Sequence, residues 1–123
     1  MENYSISKTK IQKLLDQYPW LTAEGYGPAE GKDLVSEKAE LLNEVEAFNH
    51  SIDWLSMQKK TKRFERRATS YYFKHRVERW LKDRGIENNH VPNGAFIAAA
   101  LYLGFKWRRN ENTHNVFLNL KEN

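Results

Sequence analysis

The sequence predicts an α+β domain that is mainly helical, with about four helices followed by a C-terminal β-hairpin. Three observations carry that expectation. Apolar residues recur at steps of three and four in three segments, Ile11 to Leu15, Leu41 to Leu55 and Phe73 to Leu81, which is helical spacing. Pro19, Gly85, Pro92 and Gly104 stand where helices would stop or start. Beyond Gly104 the spacing changes to every second residue, which is strand spacing.

In chain order, Ser7 is placed to cap a first helix that runs to about Tyr18 with Ile11, Leu14 and Leu15 on one face; Pro19 prevents its simple continuation. Gly25, Gly27, Pro28 and Gly31 crowd residues 22–32, which read as a loop folding the first helix back on the second. Asp33 can cap a long second helix, along which Leu41, Val45, Phe48, Ile52 and Leu55 form a heptad seam. The seam ends where Lys59 and Lys62 take its next positions, so it suits packing inside a bundle, with a homodimer interface as the alternative.

Thr69 or Ser70 can cap a third helix with Phe73, Val77, Trp80 and Leu81 as its apolar stripe, and Gly85 supplies a left-handed stop. Pro92 suits the first position of a fourth helix, Asn93 to Leu103. There Phe96, Ile97, Ala98, Ala99, Ala100 and Leu101 are apolar nearly all round, which marks the central element of the core. Phe105 and Trp107 then alternate with Lys106 and Arg108. Val116, Leu118 and Leu120 alternate with Phe117 and Asn119, and Asn110 to Thr113 have turn chemistry between them. Helix, helix, hairpin is a winged-helix-like order of elements, and order alone carries no function.

Composition excludes several classes. With 123 residues and no internal repeat, one domain is expected. The absence of cysteine removes disulfides, thiolate metal sites and a cysteine nucleophile. The longest nearly uncharged stretch, residues 91–105, falls short of the roughly 20 apolar residues that span a bilayer, and residues 1–8 lack the apolar core of a secretory signal. A cytoplasmic protein without a membrane partner is therefore expected. The net charge of +4 conceals an asymmetry: residues 1–58 hold 5 Lys/Arg against 10 Asp/Glu, whereas residues 59–123 hold 15 against 6. A first half that supports or dimerises and a second half that faces a polyanion is the reading this suggests.

The densest basic segment runs from Lys59 to Arg84, with eleven Lys/Arg against three acids. It includes Lys62, Arg63, Arg66 and Arg67 ahead of the third helix. If the stripe of that helix turns inward, a rotation of about 100° per residue puts Tyr71, Tyr72, His75, Arg76, Arg79 and Lys82 outward. Cations release counterions from phosphates and aromatic faces stack on unpaired bases, so such a mixture suits nucleic acid. Pairing of the same cations with the acidic segment Glu37 to Glu46, or plain solvation, competes with this reading. On the hairpin, Lys106, Arg108 and Arg109 are expected on the outer side, where they would lie along phosphates or simply protect an edge strand.

Other patterns carry less. Glu46, His50 and Asp53 have the spacing to aim two carboxylates and an imidazole at one metal, but a solvated face explains them better. His75 with Glu78 lacks any accompanying nucleophile motif. Gly25, Gly27 and Gly31 are turn glycines rather than a phosphate loop, and Trp20, Trp54, Trp80 and Trp107 read as core or interface anchors. No cofactor is implied, and an enzyme is not expected.

The stretch Ser70-Tyr71-Tyr72-Phe73-Lys74-His75-Arg76-Val77-Glu78, with Asn93-Gly94-Ala95-Phe96-Ile97-Ala98-Ala99-Ala100 and Gly104-Phe105, resembles small uncharacterised accessory proteins carried by phages, plasmids and integrative elements. The resemblance covers residues 69–120 and brings no catalytic residues. It implies a mobile-element accessory protein, either a small DNA-binding regulator or an inhibitor that occupies a host or rival protein such as a CRISPR effector; the basic surface itself leaves DNA, RNA or a nucleoprotein complex open as partner.

Overall fold

The computed structural model describes residues 2–27 and 33–123. Five helices and three two-stranded antiparallel ladders are present among them: α1 (Glu2–Gln17), β1 (Leu21–Thr22), β2 (Gly25–Tyr26), α2 (Leu34–Leu42), α3 (Val45–Leu55), β3 (Lys59–Lys60), α4 (Ser70–Asp83), α5 (Asn93–Tyr102), β4 (Trp107–Arg109), β5 (Val116–Leu118) and β6 (Leu120–Lys121). The α+β, mainly helical class is as expected. No helix among the described residues is long and apolar enough to cross a membrane.

The alanine-rich α5 is the centre of the core. Every residue from Asn93 to Leu101 is buried, and α5 packs chiefly on α3 and further on α1, α4 and the β1–β2 ladder. Its alanines have no side-chain entropy to lose and let the neighbours come close. Three rings tie the elements together: Phe96 of α5 lies 6.2 Å from Trp54 of α3 and 6.4 Å from Phe73 of α4 between ring centroids. Phe73, Val77 and Leu81, all buried, anchor α4 and contribute about 1.5–3 kcal/mol each. The positive φ of Gly85 and Gly104 ends the chain's run after α4 and α5, as the sequence indicated.

Several expectations are corrected. Helix α1 begins at Glu2, so Ser7 is not its cap; it lies inside the helix, buried, and its hydroxyl donates to Asn49 Oδ1 at 2.7 Å. The long second helix is broken in two. Asp33 caps α2 through Ser36 N–H, but Glu44, with ψ of 40°, leaves helical geometry and α3 starts afresh. Asn43 is a weak helix former and no glycine or proline marks the break, which explains why the heptad reads through it. The seam packs inside the chain's own core, as first expected, rather than forming the alternative dimer interface: Leu41, Val45, Phe48 and Leu55 are buried and Ile52 is half-buried against them. Pro92 is the N-cap of α5 rather than its first residue.

The link after α1 contains the β1–β2 ladder, and Lys38 donates to the carbonyls of Leu15, Tyr18 and Leu21 at 3.2–3.3 Å, satisfying the end of α1. Pro28 and Gly31 of that link lie outside the described residues. The hairpin pairs β4 with β5 as expected, Arg108 opposite Phe117. Unforeseen is the ladder of β3 with β6, Lys60 opposite Leu120. Buried Asn119 joins the two, accepting from Lys106 N–H at 2.7 Å and donating to Thr61 O at 2.8 Å.

Candidate nucleic-acid interface

With Phe73, Val77 and Leu81 facing inward, the helical rotation leaves Tyr71, Tyr72, His75, Arg76, Arg79 and Lys82 exposed, as the sequence indicated. Trp80 is only half inward; its ring carries the Arg84 guanidinium at 4.8 Å. Two cations of this helix are held by the chain itself. Lys74, only 8% exposed, lies 3.3 Å from Glu78 Oε2 and 5.3 Å from the Tyr71 ring centroid. Arg76, expected among the contacts, is instead held by Glu122: its Nε donates to both carboxylate oxygens at 3.1–3.2 Å and its Nη2 lies 3.1 Å from Oε2. That geometry engages one edge of the guanidinium and removes Arg76 from the cations without a carboxylate partner. Neither pair involves the Glu37 to Glu46 segment; Glu46 itself engages His50 at 3.5 Å and Asn88 at 3.2 Å.

Glu78 gathers its surroundings. Its carboxylate accepts from Val91 N–H and pairs with His75, both at 2.8 Å, and also meets Lys74 and His90. Burial by itself would raise this carboxyl, but the Val91 N–H, Lys74 and His75 outweigh it and hold it below its ordinary value of 4.5. A lowered carboxylate favours the fold above its ordinary value and loses that contribution as pH falls through the folded one. Thermal stability is therefore expected to drop on acidification below about pH 4.5, and Glu78→Gln to lessen that dependence while lowering stability at pH 7. Melting curves between pH 3 and 7, followed by circular dichroism, check both.

The segment 61–69 continues the basic surface. Thr61 N–H donates to Asn119 O at 2.8 Å and Glu65 N–H to Leu118 O at 2.9 Å, pinning the segment to the C-terminal strands. Glu65 in turn accepts from Arg67 N–H at 2.8 Å. Lys62, Arg63, Arg66 and Arg67 are thereby presented outward around a hollow of about 620 Å³. Phe64, among its walls, was not singled out from the sequence. The Arg108 guanidinium lies 5.4 Å from its ring centroid and 5.6 Å from that of Phe117, so the hairpin joins the same surface. An aromatic embedded in the Arg63 to Arg67 run was the one signal available.

A second hollow, of about 510 Å³, lies beside the start of α4 and is bounded by Arg67, Thr69, Tyr71, Tyr72, His75 and Arg79. Arg67 belongs to both hollows, so Arg108, Phe64, Arg67, Tyr72, His75 and Arg79 form one band. Among the described residues, no carboxylate lies within 4 Å of the charged groups of Lys62, Arg63, Arg66, Arg67, Arg79 or Lys82. Arg109 is exposed, but strand alternation sets it on the Trp107 face, away from Arg108, where its guanidinium lies 5.9 Å from the Tyr26 ring. Lys106, two residues from Arg108, is exposed.

The tryptophans divide. Trp54 is buried, Trp107 packs on Tyr18 and Tyr26, and Trp20, 51% exposed, is no core anchor. A further cleft of about 580 Å³, between Glu40, Glu44, Lys74, His90 and Asn93, mixes both signs of charge. Among the described residues no group of three or more His, Asp or Glu is disposed to hold a metal ion. Comparison of the chain with family models, curated proteins and solved structures gives no match.

Proposed function

We propose that this chain is a cytoplasmic nucleic-acid-binding accessory or regulatory protein of a mobile genetic element, acting through the band formed by α4, residues 61–69 and Arg108. One observation carries the reading: cations without a carboxylate partner share a continuous surface with half-exposed rings. An exposed patch with an excess of cations repels itself, and a polyanion relieves that repulsion while releasing its own counterions. Cations and aromatic rings hold such a ligand without making or breaking bonds, so the role is binding. The resemblance over residues 69–120 supplies the setting.

The test is a salt series with labelled oligonucleotides followed by fluorescence anisotropy. If about five phosphates are neutralised, log affinity should fall against log salt with a slope of about −4 to −5 on duplex and about −3 to −4 on a single strand. A slope near zero would remove the polyanion reading.

A protein partner, such as a CRISPR effector occupied by an inhibitor, is the second reading. Trp20 and Val35, exposed by 51% and 73% in the acidic half, favour it. Stoichiometric retention of one host protein after nuclease treatment, lost on Trp20→Ala, is the result that would carry it.

A further inference from the structure

We infer that the band receives an unpaired strand, DNA or RNA, with a base lodged on each side of Tyr72. The inference rests on the nucleic-acid reading and names the form of nucleic acid it requires. Tyr72 is 49% exposed and borders two hollows. One is the 510 Å³ hollow that leads to His75 and Arg79. The other, of about 370 Å³, has Phe73 and Leu120 among its walls and Lys121 beside them. Both volumes lie in the range of about 300–1,000 Å³ that takes a small planar ligand. Arg67 and Ala68 are common to the two, so a phosphate bridging successive nucleotides would meet the Arg67 guanidinium while the small Ala68 leaves the flanks of the ring open.

The neighbouring ring shows why Tyr72 is the partition. Tyr71 is already engaged by His75, edge to face at 4.6 Å, and by the Lys74 ammonium at 5.3 Å. Tyr72 has one ring contact among the described residues, with Phe73 at 5.3 Å and 78°. Two carboxylates also line the smaller hollow, Glu65 and Glu122. Glu122 is matched by Arg76, whereas Glu65 keeps its charge, with one oxygen held by the Arg67 N–H; the cations around it, Lys62, Arg63, Arg66, Arg67 and Lys121, outnumber it. A duplex offers no base faces, because its bases are stacked on one another, and reads out through its edges. Half-exposed rings between cations are matched only by bases that are free to leave their stack.

The experiment measures anisotropy of labelled oligothymidylate, oligouridylate and a mixed-sequence duplex, each of about 12 nucleotides per strand, at one salt concentration. It uses the full chain and its Tyr72→Ala, Tyr72→Trp and Tyr71→Ala variants. Expected is binding of at least one single strand about ten-fold or more tighter than the duplex, loss of that preference in Tyr72→Ala, and its retention in Tyr72→Trp with quenching of the new indole. The two single-stranded arms tell DNA from RNA. Duplex bound as tightly as both single strands, or an equal loss in Tyr71→Ala and Tyr72→Ala, overturns the inference and leaves the nucleic-acid reading standing. Failure of all three oligonucleotides to bind overturns both. Unchanged melting curves of the variants show that any loss is not unfolding.

Discussion

Replacing Gly94 with alanine is expected to lower the melting temperature by about 10 °C or more. Gly94 is the second residue of α5, and a Cβ built on it would lie 1.7 Å from Thr22 O, 2.7 Å from Thr22 C and 2.9 Å from Ala23 C. All three are backbone atoms, so no side chain can rotate aside. The approach is fixed from both ends, because Gly94 N–H donates to Ala23 O at 3.0 Å. Overpacking of a core ordinarily costs about 1–3 kcal/mol when side chains can adjust. Here either the β1–β2 ladder or α5 must move, so the cost falls at or above the upper figure, a large share of a stability of about 5–15 kcal/mol. Thermal denaturation by circular dichroism reads it directly. A variant melting with the parent would show that α5 does not dock on the Thr22 backbone.

The second large effect is functional. The double variant Arg79→Glu, Lys82→Glu is expected to weaken nucleic-acid binding by about 100-fold or more, because two phosphate contacts become two repulsions. It should fold. Neither cation has a carboxylate within 4 Å among the described residues, so no pair is broken. Lys82 lies in the last turn of α4, where a cation suits the helix dipole, and its reversal costs only about 0.3–1 kcal/mol. Arg76→Glu is the contrasting variant: it sets two carboxylates against each other at Glu122 and should lower stability as well as binding. Affinity measured in low salt, beside melting curves, separates the two. Full affinity in the double variant would move the contact surface off α4.

Much of this was legible in the chain because it is local. The outward set on α4 follows from three apolar residues and a rotation of about 100° per residue, and all six expected side chains are exposed. The helix stops at Gly85 and Gly104, the apolar α5 and the β4–β5 hairpin were legible for the same reason: each signal spans only a few residues. The break between α2 and α3 was hidden because Asn43 and Glu44 interrupt the backbone without interrupting the apolar seam, which stays buried across it.

The candidate site divides along the same line. Sequence by itself determined the residue types that make a polyanion surface, the order of elements, and the side of α4 on which tyrosines and cations emerge, since periodicity and charge count need no knowledge of distant partners. Only the tertiary structure decided which cations are free. Arg76 is matched to Glu122 and Arg108 set over Phe64 across 46 and 44 positions, and the two-residue β3–β6 ladder that steers the chain there is too short to show a period. Charge pairing and stacking act over a few ångströms of space whatever the distance along the chain, so they are fixed by packing around α5 and not by the order of residues.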